Sequence, residues 1–203
     1  MQTANLGPCV LEGDFVRLEP LRPSHSGAVL EAAQKMDWAW FLTPLRSMQD
    51  VERRIQVGME GEGRNQEFVF AVLLKEDRRV IGCTAYLTVV ARHKRAEIGS
   101  TWYVTEMQGT FVNPECKFLL LRHAFEDWGA VRMQLTTDVN NLHSQRAIAK
   151  LGARFEGVLR NHGIRPDGSV RDAMLYSITA AEWPGVKSGL IRRLQRFERH
   201  KAT

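Results

Sequence analysis

The feature that most constrains the fold of this chain is a set of three apolar runs. They cover residues 68–74, 80–90 and 98–104 and are separated by polar turns at 75–79 and 92–95. Connections this short join neighbouring strands of opposite direction, because a parallel pair needs a crossover of a dozen residues or more. The runs therefore predict an antiparallel meander of three strands.

The flanking segments add to that sheet. Residues 14–21 alternate Phe15, Val16, Leu18 and Leu21 with charged side chains and end at Pro20 and Pro23, the pattern of an opening strand. Residues 24–35 and 50–61 read as helices. Asn113, Pro114 and Glu115 come in the order of helix cap, first-turn proline and first-turn acid, and predict a helix whose apolar residues fall in 118–128. Residues 131–137 read as a strand, 144–151 as a helix stopped by Gly152, and 155–164 with 170–178 as a hairpin about Pro166-Asp167-Gly168. A last helix starts near Ala181. This order predicts a mixed α/β (α+β) fold. Without an internal repeat or linker, and with 44% of 203 residues apolar, the chain is expected to form one domain over 1–203.

Composition narrows the classes of function. The three cysteines, Cys9, Cys83 and Cys116, form no C-x-x-C pair, and the six histidines show no H-x-x-x-H spacing, so neither a disulfide framework nor a bound metal is expected. No run approaches the roughly 18 apolar residues of a membrane span, and residues 1–8 lack a charged start followed by an apolar stretch. A cytoplasmic protein without membrane association is expected. The net charge of +5 invites a nucleic-acid reading, but it is concentrated at one end: Lys187, Arg192, Arg193, Arg196, Arg199 and Lys201 oppose Glu198 alone, and the remaining body is neutral. A solvated basic helix and a contact with an anionic partner both fit that distribution.

Residues 102–114 join a strand end to a helix start, where free amides and the positive end of a helix dipole can stabilise phosphate without arginines. Most such junctions only turn the chain, so this one decides nothing by itself. A second follows the next strand: Asn141-Leu142-His143-Ser144-Gln145-Arg146-Ala147-Ile148-Ala149-Lys150-Leu151-Gly152-Ala153. It resembles the GNAT N-acetyltransferase superfamily, in which an Asn at a strand exit is followed three residues on by Ser or Ala, then by an apolar helix ending Leu-Gly-Phe or Leu-Gly-Ala. Downstream, Phe155-Glu156-Gly157-Val158-Leu159-Arg160, then Asp167-Gly168 and residues 172–177, resemble the RimJ/RimL-like branch of ribosomal-protein N-terminal acetyltransferases and their relatives. The resemblance spans residues 13–194. It implies a mostly antiparallel sheet of six or seven strands, splayed between the fourth and fifth and flanked by helices, with acetyl-CoA as cofactor and an amine as acceptor.

The resemblance also distributes roles. In the family the loop before the central helix carries Gln or Arg, two residues, Gly, one residue, then Gly or Ala, and its amides hold the CoA pyrophosphate. Gln108, Gly109, Thr110, Phe111, Val112 and Asn113 keep the Gln and depart at both small positions. Phe111 stands where glycine would admit close backbone approach, and Pro114 removes one amide. Either Gly109 takes the tight turn while Asn113, Lys117 and the remaining amides hold phosphate, or cofactor binding is weakened; the first is expected. Ile98, Asn141, Ser144 and Arg146 complete the cofactor set that the resemblance implies.

An amine nucleophile must lose a proton, and Glu97 and Glu156 match glutamates used as general bases in relatives. The structural alternatives are a solvated strand-edge acid for Glu97 and a partner of Arg160 or Arg171 for Glu156. Where many relatives place a tyrosine to serve the departing thiolate this chain has Ile148, which leaves Ser144, whose alternative role is helix capping. Cys116 lies near a helix start, yet direct transfer needs no enzyme nucleophile. His143 reads as incidental. Trp38, Trp40 and Phe41 fall in a loop that lines the acceptor side in relatives, and suit either an apolar acceptor or a plug for the core.

The leading function is acetyl transfer from acetyl-CoA to a primary amine, on a protein N-terminus or a small molecule. The competing classes are a non-catalytic acyl-CoA sensor and a ribosome- or nucleic-acid-associated protein acting through the basic terminal helix. A homodimer is compatible with each.

Overall fold

The computed structural model describes residues 6–201, with the side chains of 198–201 excepted, so the charges of Glu198, Arg199 and Lys201 lie outside the described residues. Its centre is one eight-stranded sheet in the order β1-β2-β3-β4-β5-β6-β8-β7. The expected meander is β3 (Phe68–Leu74), β4 (Val80–Val90) and β5 (Arg95–Tyr103), antiparallel throughout. β2 (Val16–Pro20) extends it through β3, and the hairpin of β7 (Arg154–Ile164) and β8 (Val170–Thr179) joins through β6 (Arg132–Asp138). The strand beyond the expected seven is β1, Leu11–Glu12, which pairs with Leu18 and Arg17. Two residues are too few to carry an alternating pattern, so sequence periodicity could not register it.

One pairing differs from all others. β5 and β6 run parallel and pair only at Arg95–Arg132, Ala96–Met133 and Glu97–Gln134, after which the strands part. A bulge then bends β5: Ala85 pairs with Gly99 but Cys83 with Trp102, and Ser100 between them sits at φ +47. The expected splay between the fourth and fifth seven-strand positions is this β5–β6 divergence.

Helices cover both faces. α1 (Ser26–Ala33) and α2 (Met48–Gly63) lie over the face that carries Val69, with Gly58 of α2 against its side chain. Residues alternate faces along a strand, so Tyr86 looks to the opposite side from Ala85, the partner of Val69. There its hydroxyl donates to the Leu120 carbonyl of α3 (Val112–Arg122) at 2.6 Å. α3 continues through a π-turn at His123–Asp127. α5 (Trp183–Lys201) returns antiparallel along α3: Trp183 stacks on Phe125 at 5.4 Å, and Phe197 meets Phe111 at 6.3 Å. Among the described residues no helix is long and apolar enough to cross a membrane.

Two helix starts differ from the sequence reading. α3 begins at Val112 with Phe111 at the N-cap position, not with Asn113 as cap. Proline lacks a backbone donor and fits anywhere in the first turn, where donors have no helical partner, so Pro114 marks the turn without fixing the cap. α4 (Leu142–Ala149) begins two residues before Ser144, because the cap is Asn141: its Oδ1 accepts from the Ser144 amide at 3.0 Å.

Candidate active site

The β5–β6 divergence leaves a gap, and the loop before α3 reaches it from the side of the sheet that α3 covers. The Gln108 amide donates to the Thr105 carbonyl, and Gly109 turns the chain at φ +77, a conformation that costs glycine little. The amides of Gly109, Thr110, Phe111 and Asn113 meet no acceptor among the described residues. Four free donors at a helix start suit a polyanion. Phe111 does not obstruct them: its ring turns away to lie 4.5 Å from Phe15 and toward Phe197. The Phe111 ring thus lies against Phe15 and Phe197, off the row of amides, and four open donors at a helix start fit the pyrophosphate of acetyl-CoA. Gln108 Nε2 donates to the Tyr103 carbonyl at 3.4 Å, Thr110 Oγ1 to the Met107 carbonyl at 2.8 Å, and Asn113 Oδ1 accepts from the Tyr103 hydroxyl at 3.4 Å. Val112 is fully buried and Ile98 nearly so, on the α3 side of the gap.

Lys117 departs from its expected place on phosphate. It is 5% exposed, and its ammonium donates to Thr101 Oγ1 at 2.7 Å, which in turn lies 2.8 Å from Thr84 Oγ1. Position 117 falls on the helix face that packs against the sheet, so the side chain enters the core beneath the β5 bulge. Burial pushes its pKa down to about 8. Cys116 is fully buried beside it, and burial raises that thiol to about 12, which leaves no thiolate to act as nucleophile.

The other face of the splayed strands carries a polar row. Arg132, Gln134, Thr136 and Asp138 alternate along β6 with Met133, Leu135 and Thr137, which are buried on the α3 side. Glu97 sits at the last paired position and is half-buried; its carboxylate accepts from Gln134 Nε2 at 2.9 Å and Thr136 Oγ1 at 2.6 Å. Glu156 occupies a bulge in β7 and is engaged by Arg132 through both Nη atoms and by Ser177 Oγ at 2.6 Å. The guanidinium and hydroxyl bonds hold its carboxyl down at about 2. Its partner is therefore neither Arg160 nor Arg171. Sequence reading named the two glutamates but missed Arg132, Gln134 and Thr136, although their two-residue period along one strand was visible.

Asn141 spends its carbonyl oxygen on the α4 cap, which frees the Ser144 hydroxyl from capping. Arg146 is exposed on α4. The aromatic loop divides: Trp38 is 9% exposed, donates Nε1 to the Ala33 carbonyl and packs on Trp102 and Phe41, whereas Trp40 is 42% exposed. Trp38 thus plugs the core, and Trp40 remains at the surface.

Comparison with known proteins places this geometry. The model of the acetyltransferase (GNAT) domain matches residues 16–154. A solved protein from T. thermophilus, provisionally described as an acetyltransferase, is 34% identical and covers 93% of this chain and 98% of its own, with a TM-score of 0.81. A GCN5-related N-acetyltransferase from Brucella melitensis is 26% identical over 93% of this chain and 86% of its own, with a TM-score of 0.84. YdaF of Bacillus subtilis (strain 168), provisionally named a ribosomal N-acetyltransferase, is 30% identical over 47% of this chain and 51% of its own. A family match over more than half the chain, on a sheet that parts between its two parallel strands beside an open row of amides, settles the relationship: the chain belongs to the GNAT acetyltransferase family and is an acyl-CoA-dependent N-acetyltransferase.

Proposed function

We propose that the chain, acting as one domain in the cytoplasm, moves an acetyl group from acetyl-CoA directly to a primary amine, with Glu97 as the base. The observation that carries this reading is the position of Glu97. It lies at the last paired residue before the strands part, fixed by Gln134 and Thr136 and still accessible. Acetyl-CoA supplies the thioester, with its phosphates on the amides of Gly109, Thr110, Phe111 and Asn113. The amine nitrogen forms a bond to the acetyl carbon while the carbon–sulfur bond breaks. The amine proton passes to Glu97, directly or through water, and the departing CoA thiolate takes a proton from the Ser144 hydroxyl, which water restores. Much of the rate then comes from holding amine and thioester in register. The short match to YdaF supports a RimJ/RimL-like relative, and its name keeps protein N-termini among the acceptors to be tried. Three free cysteines support a reducing compartment.

The test is thiol release from acetyl-CoA against a panel of amines, together with thermal stability. At a hundredfold excess over its dissociation constant, acetyl-CoA should stabilise the fold by about 2.7 kcal/mol, whereas free adenine at the same concentration should not. Stabilisation without thiol release on any amine would favour the sensor reading over catalysis.

A further inference from the structure

Beyond Glu97, the open face of the sheet ends in an arginine whose buried Nε has no hydrogen-bond partner. Asp138 closes the polar row of β6 and is 1% exposed. Its Oδ1 accepts from the Asn140 amide at 2.9 Å, and its Oδ2 from Arg165 Nη2 at 2.6 Å and Nε at 3.2 Å. A second guanidinium approaches the same oxygen: Arg171 Nε stands 3.5 Å away, too far for a sound hydrogen bond, and is buried without another partner. Two arginines thus share one carboxylate, and only Arg165 hydrogen-bonds to it.

The two arginines are not equivalent. Arg165 also donates to the Ser169 hydroxyl at 3.1 Å and the Val170 carbonyl at 2.7 Å, so its fork is spent on the β7–β8 turn. Arg171 donates no hydrogen bond to the described residues, while 13% of its side chain stays exposed. A guanidinium kept mostly out of water with its Nε unmet is costly, and a ligand acceptor would reduce that cost.

Its position says which ligand. Ala173 pairs with Asp138, and Arg171 precedes it by two residues on the same strand, so Arg171 projects on the face of Asp138 and Glu97. Arg171 pairs with Gly163, and Leu42 from the segment between α1 and α2 lies 3.1 Å from where a Cβ on Gly163 would stand. That segment therefore reaches over the same end of the face. Burial, with the charge of Arg165, pushes the Arg171 pKa down, and the charges of Asp138 and Glu97 oppose that.

We propose that Arg171 receives an anionic group of the acceptor, so that the substrates of this enzyme are amines that also carry a carboxylate or a phosphate. The inference rests on the reading above, in which the amine is delivered to Glu97. Carboxylate and phosphate both accept the paired donors of a guanidinium, and the amine end, directed away from that cation, is left to face the glutamate.

The experiment compares matched acceptors: ω-amino acids of two to six carbons against their amides, and phosphoethanolamine against ethanolamine. Each is assayed for kcat/KM with the wild type, Arg171→Gln and Arg171→Lys. The wild type should prefer at least one acid-bearing acceptor over its neutral match by tenfold or more. Arg171→Gln should bring that ratio close to one, and Arg171→Lys should retain part of it. The carboxylate and phosphate arms report which anion is favoured. Acetylation of neutral amines with no acid preference in the wild type, or an acid preference that survives Arg171→Gln, would overturn the inference while leaving the acetyltransferase reading intact. If no amine is acetylated, thermal stabilisation decides. A larger shift with phosphoethanolamine or an ω-amino acid than with its neutral match, lost in Arg171→Gln, supports the anion site, and equal shifts reject it.

Discussion

Arg132 grips the Glu156 carboxylate with both Nη atoms, at 2.6 and 2.5 Å. A carboxylate held this way is poor at accepting a proton near neutrality, because its charged form is the stabilised one. Glu97, which accepts from two neutral donors, is the base in the function proposed above. Glu97→Gln should lower turnover about a hundredfold with acetyl-CoA affinity retained, whereas Glu156→Gln should stay within about threefold of wild type. Steady-state kinetics over pH 6–9 on both variants checks this, and a larger loss in Glu156→Gln would reverse the assignment.

The Glu156 pair also makes a prediction about acid. Its folded pKa of about 2 lies below the ordinary 4.5, so its contribution to stability is present above pH 4.5 and is lost as pH falls toward 2. The stability difference between wild type and Glu156→Gln, measured by denaturant unfolding, should therefore shrink through that window. Because the carboxylate is 36% exposed, solvent screening keeps the effect small.

Lys117 gives the opposite window. Its folded pKa, near 8, is depressed from 10.5, so the folded state resists its charge; that penalty is complete below pH 8 and relieved as pH rises to 10.5. Relative to wild type, Lys117→Met should be most favoured at or below pH 8. Its advantage should then decline by on the order of 3 kcal/mol toward pH 10.5. Comparing the two proteins at each pH cancels Cys9 and Cys83, whose burial raises their thiols and acts in the other direction over the same range, but not Cys116, whose charge couples to Lys117. A constant difference would place the ammonium in contact with water.

At the start of α4, the cap is Asn141 and not Ser144, the residue proposed to serve the thiolate. Asn141→Ala should cost about 1 kcal/mol of stability and Asn141→Asp much less, since either oxygen type can accept from the Ser144 amide. Ser144→Ala should leave stability within about 0.5 kcal/mol, the range of changes away from such features, and lower turnover if its hydroxyl serves the departing sulfur. Equal stability losses in Ser144→Ala and Asn141→Ala would return the cap to the serine.

Phe111 and Phe197 should prove coupled. Truncating each to Ala singly and together should yield a coupling energy of about 0.5–1.5 kcal/mol in a double-mutant cycle of unfolding free energies. Strict additivity would show that the C-terminal helix does not hold the loop before α3.

Much of this architecture was legible in the residues, and the boundary of legibility is physical. The meander and the hairpin declared themselves because their apolar runs and turns are local, and the Asn141 to Gly152 segment because its spacing is rigid. The direction of the Phe111 ring was not, since it depends on Phe15 and Phe197 from remote parts of the chain. Neither was the partner of Glu156: Arg132 sits on another strand, and local spacing pointed instead to Arg160 and Arg171. Lys117 was misread because lysine near a helix start suits phosphate, while the face it occupies is set by how α3 lies on the sheet. The unmet Nε of Arg171 emerges only when Arg165 of the turn and Arg171 of β8 meet at Asp138 of β6.

The parallel seam between β5 and β6 is only three residue pairs long, yet α5 starts beside β8 and ends beside the loop before α3. The sheet is thus two panels on a short hinge, with a helix as the strut between them. Native-state hydrogen exchange should resolve β2 to β4 and β6 with β8 as two separately opening units, with the seam amides among the first to exchange. The stack of Trp183 on Phe125 ties the start of that strut to the end of α3, so a substitution there should loosen the link between the panels without touching a residue of the gap.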